Sequence, residues 1–212
     1  MDMTNSSVVG SEIESLLGLA NNGDEPARER LLTLANDRLM ALSRKLKRGF
    51  PRVGRWEQTE DVCQMASLKL YDALAATKVN DSRHFFRLAA KKIRETLIDL
   101  ARHYQGAHGV GANHATQMPA SRNGTSPGSL MDNAGEMTQN PQQLAQWKEL
   151  HESIGALPDD LKEMFDLLWY NELSQDDAAK IVGISTRQVK RRWRDAKLAL
   201  SDAMGGDADF LG

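Results

Sequence analysis

The sequence predicts an all-α protein made of two small helical domains joined by a flexible linker. Three observations carry this. Apolar residues recur at three- and four-residue spacing, as in Leu31, Ala35, Leu39, Leu42 and Leu46. No segment sustains a two-residue alternation rich in β-branched side chains, so a sheet has no candidate strands. Residues 105–139 break the pattern with six of the sixteen glycines, Pro119, Pro127, and only Val110 and Leu130 as branched apolar residues. Such a stretch buries too little apolar area to offset its ordering entropy, and loops above about 12–15 residues are uncommon inside one domain. The domains are therefore placed at 12–104 and 140–204, and the linker between them is expected to leave their orientation unfixed.

The elements follow in order. Ile13, Leu16, Leu17 and Ala20 mark a short first helix. Pro26 sits where a first helical turn tolerates it, and the leucine stripe above runs on to Gly49-Phe50-Pro51. A third helix runs from about Glu57 to Ala76, with acids in its first turn. A fourth spans Ser82, read as its N-cap, to about Tyr104. After the linker, Asn140-Pro141 starts a helix striped by Leu144, Trp147, Leu150 and Ile154. Helices from Pro158 to Asn171, Ser174 to Val182 and Ser185 to about Met204 complete the chain.

The 212 residues are 41% hydrophobic and 6% aromatic, too apolar for a fully disordered chain. No apolar run approaches the roughly 20 residues of a membrane span, and the N-terminus lacks the basic and apolar parts of a signal peptide. The single Cys63 excludes an internal disulfide and a Cys-based zinc site. These features place the protein in the cytoplasm. With 27 basic and 29 acidic residues the net charge is −2, which taken alone argues against nucleic acid. The charge, however, lies in blocks. Residues 1–27 hold five acids and no base, and residues 38–55 hold seven bases and no acid. Residues 83–104 hold six bases against two acids, 148–186 nine acids against three bases, and 187–197 six bases against one acid. Local sign governs what a surface attracts within a Debye length of about 8–10 Å.

The pair of helices at 174–194 is the most specific signal. A helix-turn-helix needs a small residue where its helices touch, a glycine at the turn and an apolar inner face on its second helix. Ala179, Gly183 and a cap at Ser185 supply the first parts. On the second helix Val189, Trp193, Ala196, Leu200 and Ala203 fall within an arc of about 80° at helical pitch. Arg187, Lys190, Arg191, Arg194 and Lys197 lie on the far side. A helix so divided suits the DNA major groove, its first residues meeting base edges and later ones phosphates. Arg187 and Gln188 offer bidentate chemistry, and Lys190 suits phosphate or guanine. A solvated basic face is the plainer alternative, but it does not explain why turn, cap, small residue and stripe coincide with the charge.

Two helices of the first domain carry further candidates. The helix at 83–104 has a core face of Phe86, Ala90, Ile93, Leu97, Leu100 and Tyr104. Beside it Arg83, Arg87, Lys91, Arg94 and Arg102 form a basic stripe able to track a phosphate backbone. Phe85, off the core face, is free either to stack on an unpaired base or to fill a domain edge. On the helix at 57–76, Val62, Cys63, Ala66, Leu70, Ala73 and Leu74 share one face. The opposite side aligns Asp61, Gln64, Met65, Leu68 and Asp72, two apolar residues framed by acids, as a protein docking site would be.

Enzymatic readings find little support. His103, His108 and His114 lie close together but without companion cysteines or patterned carboxylates, so no metal is expected. Gly106, Gly109 and Gly111 follow no strand, which removes a phosphate-binding loop. Cys63 falls on the core face, and Asp159-Asp160 and Asp176-Asp177 sit at helix starts where dipole compensation suffices. No cofactor and no catalytic residue is expected.

Together these residues resemble the bacterial sigma factors of the extracytoplasmic-function type. The likeness in region two, at 12–104, rests on Gly23-Asp24-Glu25-Pro26-Ala27, on Glu60-Asp61-Val62-Cys63-Gln64, and on Phe85-Phe86-Arg87-Leu88-Ala89-Ala90 followed by Ile93-Arg94 and Leu97-Ile98-Asp99. In region four, at 140–204, it rests on Leu157-Pro158, Leu173-Ser174, Gly183-Ile184-Ser185 and Val189-Lys190-Arg191-Arg192-Trp193. The sparse charge of Ala101-Arg102-His103-Tyr104-Gln105-Gly106, and a glutamine at 188, depart from the family's usual pattern.

The resemblance implies a factor that binds core RNA polymerase and directs promoter-specific initiation. Asp61, Gln64, Met65, Leu68 and Asp72 would dock on the clamp helices of the largest subunit, and region four would bind the flap. The loop Lys78-Val79-Asn80-Asp81-Ser82 would hold a flipped-out base of the −10 element, with Arg83, Arg87, Lys91 and Arg94 on the separated strand. Arg187, Gln188, Lys190, Arg191 and Arg194 would read the −35 element, and the linker would thread near the RNA exit path. Promoter DNA and polymerase are thus the implied partners. An anti-sigma factor is a further one, no membrane is involved, and the free chain is expected to be a monomer. A helix-turn-helix regulator acting without polymerase is the competing reading. It explains region four but neither the docking face nor the basic stripe.

Overall fold

The computed structural model describes residues 5–49, 58–111 and 141–206. Eight helices and one π-helical turn make up the described residues, with no strand among them. The first four are α1 (Asn5–Ala20), α2 (Glu25–Gly49), α3 (Gln58–Ala76) and α4 (Ser82–Gly111). They pack on one another through Ile13 and Leu17, Leu31, Ala35 and Leu39, Cys63, Ala66 and Leu70, and Phe86, Ala90, Ile93 and Leu97, all buried. The periodic stripes thus become core as read. Leu42, Leu46, Leu100 and Tyr104 have side chains outside the described residues.

α1 begins at Asn5, earlier than its apolar stripe suggests. α4 continues to Gly111, seven residues beyond Tyr104 and into the stretch assigned to the linker. The remaining linker residues, 112–139, lie outside the described residues. The cap of α4 also differs from expectation. Asp81, not Ser82, accepts the backbone N–H of His84, at 2.7 Å. Ser82 is buried and turns its own N–H to Glu14 Oε1 at 2.9 Å.

The second half comprises α5 (Pro141–Ala156), α6 (Asp159–Met164), a π turn (Phe165–Tyr170), α7 (Gln175–Val182) and α8 (Thr186–Ala203). The single helix expected over 158–171 therefore widens at Phe165. The segment Met164-Phe165-Asp166-Leu167 is buried on every side, and the wider turn spreads these side chains into two environments. Glu172 closes the segment at φ 47°, a left-handed position uncommon for a residue with a side chain.

The two halves touch in the structure. α5 lies along α4, and the π turn contacts both α4 and α2. α4 is consequently buried around more of its girth than one bundle requires. Phe85, Ala89, Thr96 and Ala101 are buried in addition to the predicted face.

Candidate nucleic-acid interface

The helix-turn-helix is built by local bonds. The Ser174 hydroxyl caps α7, accepting from Asp177 N–H at 3.1 Å. Gly183 takes φ 75°, and the N–H groups of Gly183 and Ile184 both return to the Ala179 carbonyl, at 2.9 and 3.0 Å. Thr186 Oγ1 donates to Asp176 Oδ1 at 2.7 Å and ties α8 back to α7. Ser185 caps α8 in a full capping box with Gln188. Val189, Ala196 and Leu200 are buried, and Trp193 packs edge-on against Phe165 at 4.8 Å. Ala203, placed on the same arc, is exposed at the last turn of the helix.

On the outer side Arg187, Gln188, Lys190, Arg191 and Arg194 are all exposed. Two of them are already engaged. Arg194 pairs with Asp195 at 3.0 Å, an exposed contact of small worth. Gln188 Oε1 accepts from Ser185 N–H at 2.9 Å, so only its amide NH2 is left to donate. The bidentate reading of Gln188 therefore requires the box to open, and as folded its first duty is the cap. Lys197 lies over the Trp193 ring, 5.7 Å from the centroid.

The loop before α4 is fixed from behind. Asn21 grips Val79 on both sides, its amide donating to the carbonyl at 2.8 Å and its Oδ1 accepting the N–H at 3.2 Å. Val79 is buried, whereas Asn80 and Asp81 are exposed. Glu14 and Asn21 were not singled out by the sequence, and nothing in their own neighbourhood signals a loop some sixty residues away. Of the residues meant to meet a base, Ser82 is buried and Asp81 is occupied as the cap, so Asn80 is the freest of the three. Phe85 is 1% exposed and packs on Phe86 at 5.6 Å; it fills the core and is not available for stacking.

The basic stripe on α4 divides in two. Arg87 and Lys91 are exposed, Lys91 making a long 3.9 Å pair with Glu95. Arg83 and Arg94 instead face acids of the second half. Arg83 forms a two-pronged bridge to the buried Glu163, at 2.6 and 2.8 Å. Arg94 pairs with Asp166 at 2.9 Å, both side chains under a tenth exposed. Burial pushes the Asp166 carboxyl up while the guanidinium pulls it down. Burial is the larger effect, so the Asp166 carboxyl sits above the usual carboxylate range in spite of its arginine partner. Arg94 also lies 5.2 Å over the Tyr170 ring, whose hydroxyl shares a 2.7 Å hydrogen bond with His151 Nδ1.

On α3, Gln64, Met65, Leu68 and Asp72 share one solvent face, with Leu68 60% exposed and Met65 39%. Asp61 lies on the same helix at matching register; its side chain is outside the described residues. Cys63 is buried on the opposite face beside Met40. Among the described residues no group of His, Cys, Asp and Glu could hold a metal ion, and no helix is long and apolar enough to cross a membrane. His114 lies outside the described residues, as do the side chains of His103 and His108.

A family model described as ECF sigma factor matches residues 10–205. No curated protein matches the sequence. A solved structure that it resembles is "Structure of CnrH in complex with the cytosolic domain of CnrY", at 18% identity over 92% of this chain and 99% of that chain, with a TM-score of 0.38. The family match spans both the four-helix half and the helix-turn-helix half. The chain therefore belongs to the ECF sigma factors, a family of transcription initiation factors.

Proposed function

We propose that the chain binds core RNA polymerase and directs it to promoters through −10 and −35 elements. The observation that carries this is the presence, on one chain of the family, of two open surfaces of different chemistry. One is the basic outer face of α8, held in place by a capped turn. The other is the α3 face with Met65 and Leu68 exposed between Gln64 and Asp72. The first suits the major groove of the −35 element, with Arg187 and Arg191 as leading contacts. The second suits a protein helix, since apolar residues ringed by polar ones lose little water when free and gain when covered. Asn80, Arg87 and Lys91 supply −10 contacts from the exposed part of α4 and its preceding loop. Arg83 and Arg94 join them once their acids release them. Asp61 completes the polymerase face, region four contacts the flap, and the free chain is a monomer.

Footprinting on promoter fragments tests this, with and without core polymerase. Specific protection across both elements should appear only with polymerase. A footprint of the chain alone, unchanged on adding polymerase, would instead favour a regulator that acts by itself.

A further inference from the structure

The loop between α3 and α4 is held by a helix that belongs to none of the proposed binding surfaces. Residues 77–81 present Thr77, Lys78, Asn80 and Asp81 to solvent, and only Val79 is buried. One apolar anchor fixes a point of the loop but not its path. The path is fixed by α1. Glu14, Leu17 and Asn21 follow one another at three- and four-residue spacing along a single face. Leu17 is core, while the two polar residues reach the loop. Asn21 takes both backbone groups of Val79, as a neighbouring strand would, at 2.8 and 3.2 Å. Glu14 Oε1 accepts the Ser82 N–H, an orphan donor of the first turn of α4, at 2.9 Å. That leaves Asp81 to cap the His84 N–H. Asn21 is itself placed by a fixed corner. Gly23, at φ 91°, closes α1 with N–H bonds from Gly23 to the Ala20 carbonyl and from Asp24 to the Leu19 carbonyl. The Asp24 carboxylate then caps α2, accepting the Ala27 N–H at 2.8 Å.

We propose that Asn21 and Glu14 are positioning residues for −10 base selection: from behind, α1 holds the loop backbone in the conformation that displays Asn80, without meeting DNA itself. This rests on the proposed −10 role of the loop. Asn80 is the residue so displayed because Val79 before it and Ser82 after it are pinned by α1, and Asp81 is turned to its cap. Extruding a base from the duplex costs free energy, and a loop that must also be ordered on contact subtracts from what the correct base recovers. A loop ordered beforehand avoids that second cost. Loosening it weakens the preferred base most, since a wrong base makes few contacts to begin with. The α1 residues therefore act on discrimination between bases. Bonds that served the fold alone would, when lost, lower transcription from every template alike. The corner at Gly23-Asp24 thereby gains a role beyond joining two helices, since it sets where the Asn21 amide stands.

The test uses the full chain with core polymerase on a promoter fragment that the parent transcribes, and on the single-base substitutions of its −10 element. In the parent, one base at the position read by the loop should exceed the other three. Asn21→Ala removes both bonds to Val79, and Asn21→Asp sets a second carboxylate oxygen against the Val79 carbonyl. Each should reduce the preference about tenfold, the combined worth of two hydrogen bonds. Glu14→Ala loses one bond and should reduce it about threefold. Glu14→Gln keeps an oxygen for the Ser82 N–H and should discriminate as the parent does. Affinity for core polymerase and dependence on the −35 element should stay at parent values throughout. Amide exchange of the free chain gives a second reading without DNA. The Val79 N–H should exchange faster in Asn21→Ala, and the Ser82 N–H in Glu14→Ala but not in Glu14→Gln. If Asn21→Ala does not fold, the two Glu14 variants carry the same comparison. A preference kept in the alanine variants, a loss equal on all templates, or unchanged exchange overturns the inference and leaves the −10 reading standing. A parent that transcribes no promoter, or all four bases alike, removes the −10 reading and the inference with it.

Discussion

His151 is fully buried between Trp147, Trp169 and Tyr170, and its Nε2 meets no hydrogen-bond partner among the described residues. Burial, helped by the nearby Arg94 charge, pushes its pKa from 6.5 down to about 3. The folded ring is therefore neutral, and the unfolded chain alone takes up a proton as pH falls below 6.5. The stability this group contributes is complete above that pH and declines towards pH 3, by about 1.4 kcal/mol per pH unit. Urea unfolding at several pH values should show that slope lessened in His151→Gln relative to the parent. Equal slopes would mean that the ring is not held neutral. At the DNA face, Arg187→Glu with Arg191→Glu should cost at least tenfold in −35-dependent transcription, since a good base or phosphate contact is worth about 1–3 kcal/mol. Binding to core polymerase, measured by co-elution, should be kept; its loss would place these arginines elsewhere than on DNA. The residues that lead here were legible because their charge and spacing agree. Those at the contact between the halves were not, since Glu163 and Asp166 look like members of an acidic block, and Asn171 like a helix end, until their buried partners are known. Asp166 carried one hint, an acid set within Met164-Phe165 and Leu167-Leu168-Trp169-Tyr170, where no water-facing side remains.

At the scale of elements, α7 and α8 form the part that local chemistry dictates most fully. Ser174, Gly183 and the Ser185–Gln188 box define both ends of the turn. Gly183→Ala meets no steric neighbour, yet forces a side chain into φ 75°, which costs about 1–2 kcal/mol. Thermal unfolding should show a drop of several degrees, and an unchanged midpoint would mean that the turn relaxes elsewhere. α3 poses the converse case, a helix whose outer face does nothing for its own fold. Leu68→Asp should therefore leave thermal stability unaltered while weakening core polymerase binding about tenfold or more, with titration against labelled core as the measure. Retained affinity would remove this face from the docking surface. Helix ends were less legible than helix faces. α4 outran its stripe because residues 105–111 still form helix despite three glycines, and its cap shifted by one residue because Asp81 and Ser82 are both good caps and only Glu14 decides between them.

Over the whole molecule, the net charge of −2 resolves into surfaces that answer one another. The acids of 148–186 supply Glu152, Glu163 and Asp166 to the arginines of 83–104, while the bases of α8 face outwards. Near-neutrality is thus an internal arrangement as well as a sum. The glycine-rich stretch was read from composition as a boundary between two units, but no periodicity on either side of it encodes how they meet. That relation depends on long-range pairs such as Arg94–Asp166, seventy-two residues apart. The central claim is that this chain makes polymerase promoter-specific. Run-off transcription with purified core polymerase, mapping every start site, tests it most directly. Discrete starts preceded by shared −10 and −35 sequences should appear only when the chain is present. No starts, or the same starts with core polymerase alone, would contradict it.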